Sequence, residues 1–483
     1  MPSFPRATVP AVATLAAASL FVAGCSDSST QLSGRAKTVR GSDANVHFHA
    51  CGAKCTGEID GAAYSIKLPS KWNGTLLLYS HGYRFAEPGP PDFSPVSRKP
   101  QLSSTDPDGS GTDPLSQRLL RAGYALAGSS YKSNGWAVAD GIAADEALHQ
   151  RFVSLVGKPR RTYVWGDSLG GLITELVAER NPQWVDGSAP MCGAVAGPTD
   201  NLDLALDVAF GLKTLIDPAF KLTGFTSAAE ANADWNQAAD ALKKAAADTA
   251  GGGTAKVLTL AALVDAPDKT QTYDGHDITS RVKATVEALL TVLAYATAGR
   301  YDIEQRVGGN ASDNTKTNYA TRLSASERQL IETVGGNPDE YLRELAAAPR
   351  VAADPAARAA FTKLGDPTGA LTVPTLTLHT EDDPLVIVQN ESVLAARAVR
   401  NDASNRLVQL YVEPPATYSE STGAPYGAGH CNFTDGQRFA LISTLDSWVR
   451  NAVYPVPVGV ASRFGAGLDP AYVPAAWPAA TAG

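Results

Sequence analysis

The 483-residue sequence contains no basic run, and its net charge is −8. That absence speaks against a nucleic-acid partner and against charge-driven adhesion to an anionic membrane. Histidine and cysteine are scarce, at seven and five residues, so a site built on either can be sought by elimination. No fixed-period repeat stands out, and strand signals are few between about 199 and 365. What is present fits a globular protein in hydrophobic and glycine content. The length allows a large core, in one enlarged α/β domain or in more than one.

The N-terminus differs from the rest. Arg6 precedes an apolar, alanine-rich run over 8–22 that ends Val22-Ala23-Gly24-Cys25. A basic start, a short apolar stretch and small residues mark an export signal, and the run is short for a membrane span. Ending on Gly-Cys, segment 1–25 resembles a bacterial lipoprotein signal. That likeness implies that Cys25 is lipidated, becomes the mature N-terminus and anchors the chain in a membrane; the plainer reading is an ordinary cleaved signal. Residues 26–44 read as a flexible Ser-, Asp- and Gly-rich tether. Either way the chain is expected to be exported, as a cell-surface lipoprotein or a secreted protein.

Export governs how the cysteines are read. With Cys25 lipidated, Cys51, Cys55, Cys192 and Cys431 remain, an even number in an oxidising compartment that admits three pairings. Cys51 and Cys55 are close enough for a small loop, which leaves Cys192 and Cys431 to each other. A rival reading is a metal site, since His47, His49, Cys51 and Cys55 fall within nine residues. Oxidising export favours disulfides over that site; the alternative for Cys192 is an inert buried thiol.

Along the chain, short apolar or alternating runs at 62–69, 75–79, 124–131, 161–165 and 185–191 read as strands, with an amphipathic helix over 139–156. A long loop rich in Pro, Asp, Ser and Gly fills 87–114. This alternation predicts a mostly parallel sheet flanked by helices, the first part of a core over 45–198. It gives way over 199–365 to an alanine-rich helical insertion, with helices expected near 202–215, 228–247, 278–298, 325–334 and 340–348. Alternation resumes over 366–455: strands at 375–380 and 406–412, helices at 386–400 and 437–449. The Pro/Ala-rich tail, 456–483, has little capacity for a core of its own.

The chemistry is organised around Gly166-Asp167-Ser168-Leu169-Gly170, which fits G-x-S-x-G between an apolar strand and an amphipathic helix. There the chain turns sharply and the helix crowds the strand, so glycine is needed on both sides of an activated serine. Such a serine needs an acid and then a histidine later in the chain. Of the seven histidines, His47, His49, His81 and His149 precede it, His276 lies in the helical insertion and His379 lies within a strand. His430, in a glycine-rich loop after the last strand, is left as the base. The acid belongs just after 375–380, where Glu381, Asp382 and Asp383 stand together. Asp383-Pro384-Leu385-Val386 resembles the Asp-x-x-Val segment that follows this strand in α/β-hydrolases, a likeness that favours Asp383 over Asp382; a neighbouring carboxylate can serve as a helix cap. Oxyanion donors are expected from the amide of Leu169 and from the His81-Gly82-Tyr83 loop, through Tyr83 or else Gly82.

Strand–His81-Gly82-Tyr83, strand–Gly166-Asp167-Ser168-Leu169-Gly170-Gly171–helix, strand–Asp382-Asp383-Pro384-Leu385-Val386 and loop–Gly429-His430-Cys431 resemble the α/β-hydrolase superfamily, more narrowly its secreted bacterial esterases. The likeness covers about 60–198 and 366–452. It implies an eight-stranded sheet, a helical cap over 199–365 and a Ser168–Asp383–His430 triad. A lesser likeness, to tannase and feruloyl-esterase types, rests on His430-Cys431, since in those enzymes a disulfide-bonded cysteine follows the catalytic histidine. Here Asp167, not cysteine, precedes Ser168, and Cys192 at the end of the next strand stands in as the expected partner of Cys431. The chemistry so implied is cleavage of a carboxylic ester, small or polymeric, through an acyl-enzyme, with no metal or organic cofactor required. An amidase or peptidase on the same triad, and a non-catalytic surface binding module on this scaffold, are the alternatives.

Overall fold

The computed structural model describes residues 54–418 and 425–478. The signal and Cys25, the tether, His47, His49 and Cys51 lie outside the described residues. Cys55 is buried in the first core cluster.

The chain opens with a hairpin, β1 (Lys54–Ile59) and β2 (Ala62–Lys67). Its two-residue Asp60-Gly61 turn has positive φ at both positions, a geometry that matches strand twist and that glycine adopts freely. Then come β3 (Thr75–Ser80), α1 (Pro114–Arg121), β4 (Ala125–Ser129), α2 (Val138–Leu155), β5 (Arg161–Asp167), α3 (Leu169–Arg180) and β6 (Gly187–Met191). All of Thr75–Ser80 is buried, as expected of a strand covered on both faces. Asp113 accepts from the Ser116 amide and so starts α1.

Eight α-helices separate β6 from the next strand: α4 (Pro198–Leu215), α5 (Ala228–Ala247), α6 (Gly253–Leu263), α7 (Ile278–Ala294), α8 (Arg300–Val307), α9 (Ala325–Thr333), α10 (Pro338–Ala347) and α11 (Pro355–Gly365). They enclose an apolar cluster that includes Phe210, Trp235, Leu260 and Leu289. A π-turn at Tyr295–Gly299 joins α7 to α8. Three of these helices, α6, α8 and α11, are not among those expected from the sequence. α6 is buried at every position but Lys256, so it has almost no polar face to create a period. α8 and α11 are short and begin at a π-turn and a proline.

The chain returns to the sheet with β7 (Thr375–Thr380), α12 (Asn390–Arg400), β8 (Leu407–Val412), α13 (Asp435–Asn451), α14 (Pro457–Phe464) and β9 (Leu468–Asp469). A reciprocal capping box between Thr434 and Gln437 starts α13. Strand order is β1-β2-β4-β3-β5-β6-β7-β8-β9. The central strands from β4 to β8 run parallel, while β1, β2 and β9 join antiparallel. Helices α2 and α3 cover one face; α1, α13 and α14 cover the other. This is the α/β-hydrolase fold, with a mixed nine-stranded sheet in place of the eight strands expected. The extra strand comes from the tail: α14 buries Val460 and Phe464 against the core, which brings Leu468 beside Val412 on an edge that would otherwise stay unpaired.

Candidate active site

Ser168 sits between β5 and α3 with φ 61° and ψ −123°, a strained conformation for a residue with a Cβ. The turn is held by its neighbours. A Cβ on Gly166 would lie 2.3 Å from the Ser80 carbonyl oxygen, and one on Gly170 would lie 2.0 Å from the same atom. The Ser168 amide donates to the Met191 carbonyl at 2.9 Å, tying the elbow to the end of β6. Gly170→Ala is therefore expected to destabilise the protein by about 3 kcal/mol or more, because backbone and not a flexible side chain must move. Gly459→Ala in α14, where a Cβ meets nothing within 4 Å, should be neutral or stabilising by up to about 1 kcal/mol. Denaturant melts of the two variants compare them directly.

The loop after β8 brings His430 to the serine. Its Nε2 lies 2.7 Å from Ser168 Oγ, and its Nδ1 lies 2.8 Å from Asp383 Oδ2 and 3.0 Å from Oδ1. Two bonds from the acid loop fix this position: the Gly429 amide donates to the Asp382 carbonyl at 2.9 Å, and Thr380 Oγ1 donates to the Gly429 carbonyl at 2.8 Å. Ser168 and Asp383 are buried, and the His430 side chain retains 15% exposure.

Of the three neighbouring acids, the structure brings Asp383 to His430. The same carboxylate also accepts from the amides of Leu385 and Val386, each at 2.9 Å, so one residue both orients the histidine and caps the next turn. Burial works to raise its pKa, but His430, His379 and the Val386 amide outweigh it and hold the carboxyl below its ordinary value. Asp382 is pushed up to about 6, by burial first, and serves the site through its main chain. Glu381 points elsewhere, toward Glu413 and Asp469, with the three carboxylates within 4.8 Å of one another. Burial, then those neighbouring charges, push Glu381 up to about 8.

Cys192, at the end of β6, is disulfide-bonded to Cys431. The Cys192 amide donates to the Leu378 carbonyl in β7 at 2.8 Å, and Cys431 Sγ lies 3.5 Å from His430 Nε2. The bond therefore pins the residue after His430 to the strand beside the elbow. Asp167, at the position where the tannase likeness would place a cysteine, accepts instead from Tyr79 Oη at 2.8 Å.

On the other side of the serine stands the loop after β3. A Cβ on Gly82 would lie 3.3 Å from Ser168 Cβ and 3.9 Å from Oγ, so this backbone runs against the nucleophile. His81 does not face the serine's proton: its Nδ1 bonds the Gly82 carbonyl at 2.7 Å, and its ring stacks on Tyr131 at 3.8 Å. Burial, with help from Arg84, lowers its pKa to about 3, so it stays neutral. The Tyr83 ring packs edge-on against Phe85 and against Tyr295 of the π-turn. The helical insertion thus reaches the serine loop, and Gln271 reaches the histidine loop, where its side chain lies over Gly429.

One neighbour of the site carries no signal in the spacing of the sequence. His379 in β7 is completely buried, with Nε2 3.7 Å from Asp383 Oδ2 and Nδ1 3.2 Å from Glu391 Oε1. A histidine four residues before the acid, at a strand end, is the one hint the sequence offers.

Fold and geometry together define an α/β-hydrolase-fold protein with a Ser168–His430–Asp383 hydrogen-bonded chain at its elbow. No protein-family model matches the chain, and no curated protein matches it. Solved structures do. The rice cell wall degrading esterase LipA of Xanthomonas oryzae is similar at 16% identity and TM-score 0.33, over 80% of this chain and 84% of that one. Feruloyl esterase B of Aspergillus oryzae is similar at 14% identity and TM-score 0.37, over 85% and 86%. A further esterase of Aspergillus oryzae is similar at 13% identity and TM-score 0.38, over 82% and 78%.

Proposed function

We propose that the protein is an exported serine hydrolase that cleaves a carboxylic ester through an acyl-enzyme. The observation that carries this reading is the unbroken chain from Ser168 Oγ through both ring nitrogens of His430 to Asp383, set on a strained strand-to-helix elbow. His430 takes the Ser168 proton as the oxygen adds to the ester carbonyl. Asp383 keeps Nδ1 protonated and stabilises the imidazolium that forms. The oxyanion rests on the amides of Leu169 and Tyr83; a loop backbone that runs against Ser168, as Gly82 does, supports this assignment. His430 then protonates the leaving alcohol, and water, activated by the same imidazole, releases the acid.

The chemistry requires no metal or organic cofactor. In this reading the helices from 199 to 365 form a cap that selects the substrate, since Tyr295 and Gln271 approach the two loops that flank the serine. Cys25 anchors the exported chain in the membrane as a lipoprotein, and an oxidised Cys192–Cys431 pair fits that compartment.

A fluorophosphonate probe tests the proposal. Labelling is expected at Ser168 in the native chain and at no residue in Ser168→Ala, with turnover of p-nitrophenyl esters well above that of matched anilides. An unlabelled Ser168 would sink the enzyme reading in favour of a binding module. Turnover of the anilide alone would move the assignment to an amidase.

A further inference from the structure

Asp383 has charged neighbours on two sides, and the catalytic chain uses only one of them. Behind it lies His379, fully buried in β7 between Asp383 and Glu391 of α12. Both of its ring nitrogens face oxygens that accept. Nε2 is 2.8 Å from the Val386 carbonyl, which can only accept, and 3.7 Å from Asp383 Oδ2; Nδ1 is 3.2 Å from Glu391 Oε1. The other oxygen of Glu391 accepts from Thr377 Oγ1 at 2.8 Å and from Gln409 Nε2 at 2.6 Å. A carboxylate that receives donors on both oxygens is satisfied in its ionised form. A ring flanked by a carbonyl and an ionised carboxylate is satisfied with both nitrogens protonated.

We infer that His379 is a positioning residue, held as an imidazolium between Glu391 and Asp383, which fixes the Asp383 carboxylate and balances its charge from the side opposite His430. The inference rests on the serine-hydrolase reading of the same site. His379 transfers no proton. It offsets part of the Asp383 charge that acts on His430. Burial would lower the pKa of His379, but the bond to Glu391 and the charges of Glu391 and Asp383 outweigh it, and the net shift is upward. The other titratable groups around the pair are Glu175 of α3 and Tyr411 of β8. Burial raises both well above their ordinary values, and Glu391 adds to each shift. No second cation competes with His379 for Asp383 from those elements.

The test combines kinetics and spectroscopy on the full chain. In His379→Gln the acid limb of the kcat/KM–pH profile on p-nitrophenyl acetate is expected to move up by roughly half to one pH unit. In Glu391→Gln, which keeps a partner for Thr377, it should move the same way by less. A role limited to packing would lower kcat and leave the limb in place in both variants, and that result overturns the inference. If His379→Gln does not fold, Glu391→Gln and the native protein carry the test. Nitrogen-15 shifts of the His379 ring in the native chain should report two protonated nitrogens at neutral pH, and a singly protonated ring also overturns it. That readout needs no turnover, so failure of the serine-hydrolase reading, seen as full activity in Ser168→Ala, stays distinguishable from failure of this one.

Discussion

Ser168→Ala is expected to lower kcat on p-nitrophenyl esters by about 10⁴- to 10⁶-fold, and His430→Ala by a similar factor. The double variant should be no worse than either single one. In the proposed mechanism the two residues perform one act. With Oγ removed there is nothing for the imidazole to deprotonate, and with the imidazole removed the hydroxyl is a poor nucleophile. KM should change little, because neither side chain is placed to hold remote parts of a substrate. Asp383→Asn is expected to lose about 10⁴-fold, since an amide facing Nδ1 favours the wrong tautomer. That variant also removes the acceptor that orders the Leu385 and Val386 amides, so its melting point must be measured alongside. Independent, multiplicative losses from Ser168 and His430 would contradict the shared mechanism. Folding should survive Ser168→Ala, because its amide and carbonyl carry the turn and its hydroxyl bonds His430 alone.

Removing the disulfide is the second large effect. Cys192 and Cys431 are 239 residues apart, and the loop they close contains the whole helical insertion. In the chain-entropy account such a cross-link stabilises by up to about 5 kcal/mol, and measured values run lower. Cys192→Ser with Cys431→Ser is expected to cost about 3–5 kcal/mol in denaturant melts. Activity should fall as well, because Cys431 is the residue after the base. With the bond gone, the His430 loop keeps the bonds of Gly429 to Asp382 and Thr380, and a displacement near 1 Å can cost about 10²-fold. Adding reductant to the native protein should reproduce both losses, and reoxidation should restore them. Lost stability with full activity would show that those two hydrogen bonds position the histidine without the disulfide.

The meeting of Ser168, His430 and Asp383 was legible because each carries a local signature. Glycine at 166 and 170 follows from a close approach of backbone, His430 from the scarcity of histidine, and Asp383 from the likeness of Asp383-Pro384-Leu385-Val386 to the Asp-x-x-Val segment of α/β-hydrolases. The choice among the acids needed more, since Glu381, Asp382 and Asp383 differ only in which way the chain points them. The hairpin at Asp60-Gly61 was legible in principle, as Asp-Gly between alternating runs. Helix α6 was not, because a segment buried on nearly all sides has almost no periodicity to read.

By itself the sequence determined the alternation of strands and helices, the place where it is interrupted, and the strained serine turn. All of these depend on neighbours a few residues away, through side-chain period and backbone sterics. Only the tertiary structure decided which acid faces His430, that Cys192 and Cys431 lie close enough to bond, that the tail adds a ninth strand, and that His379 and Glu391 stand behind Asp383. Those contacts join segments that nothing local constrains. They form because packing the sheet between its helices brings those distant segments side by side.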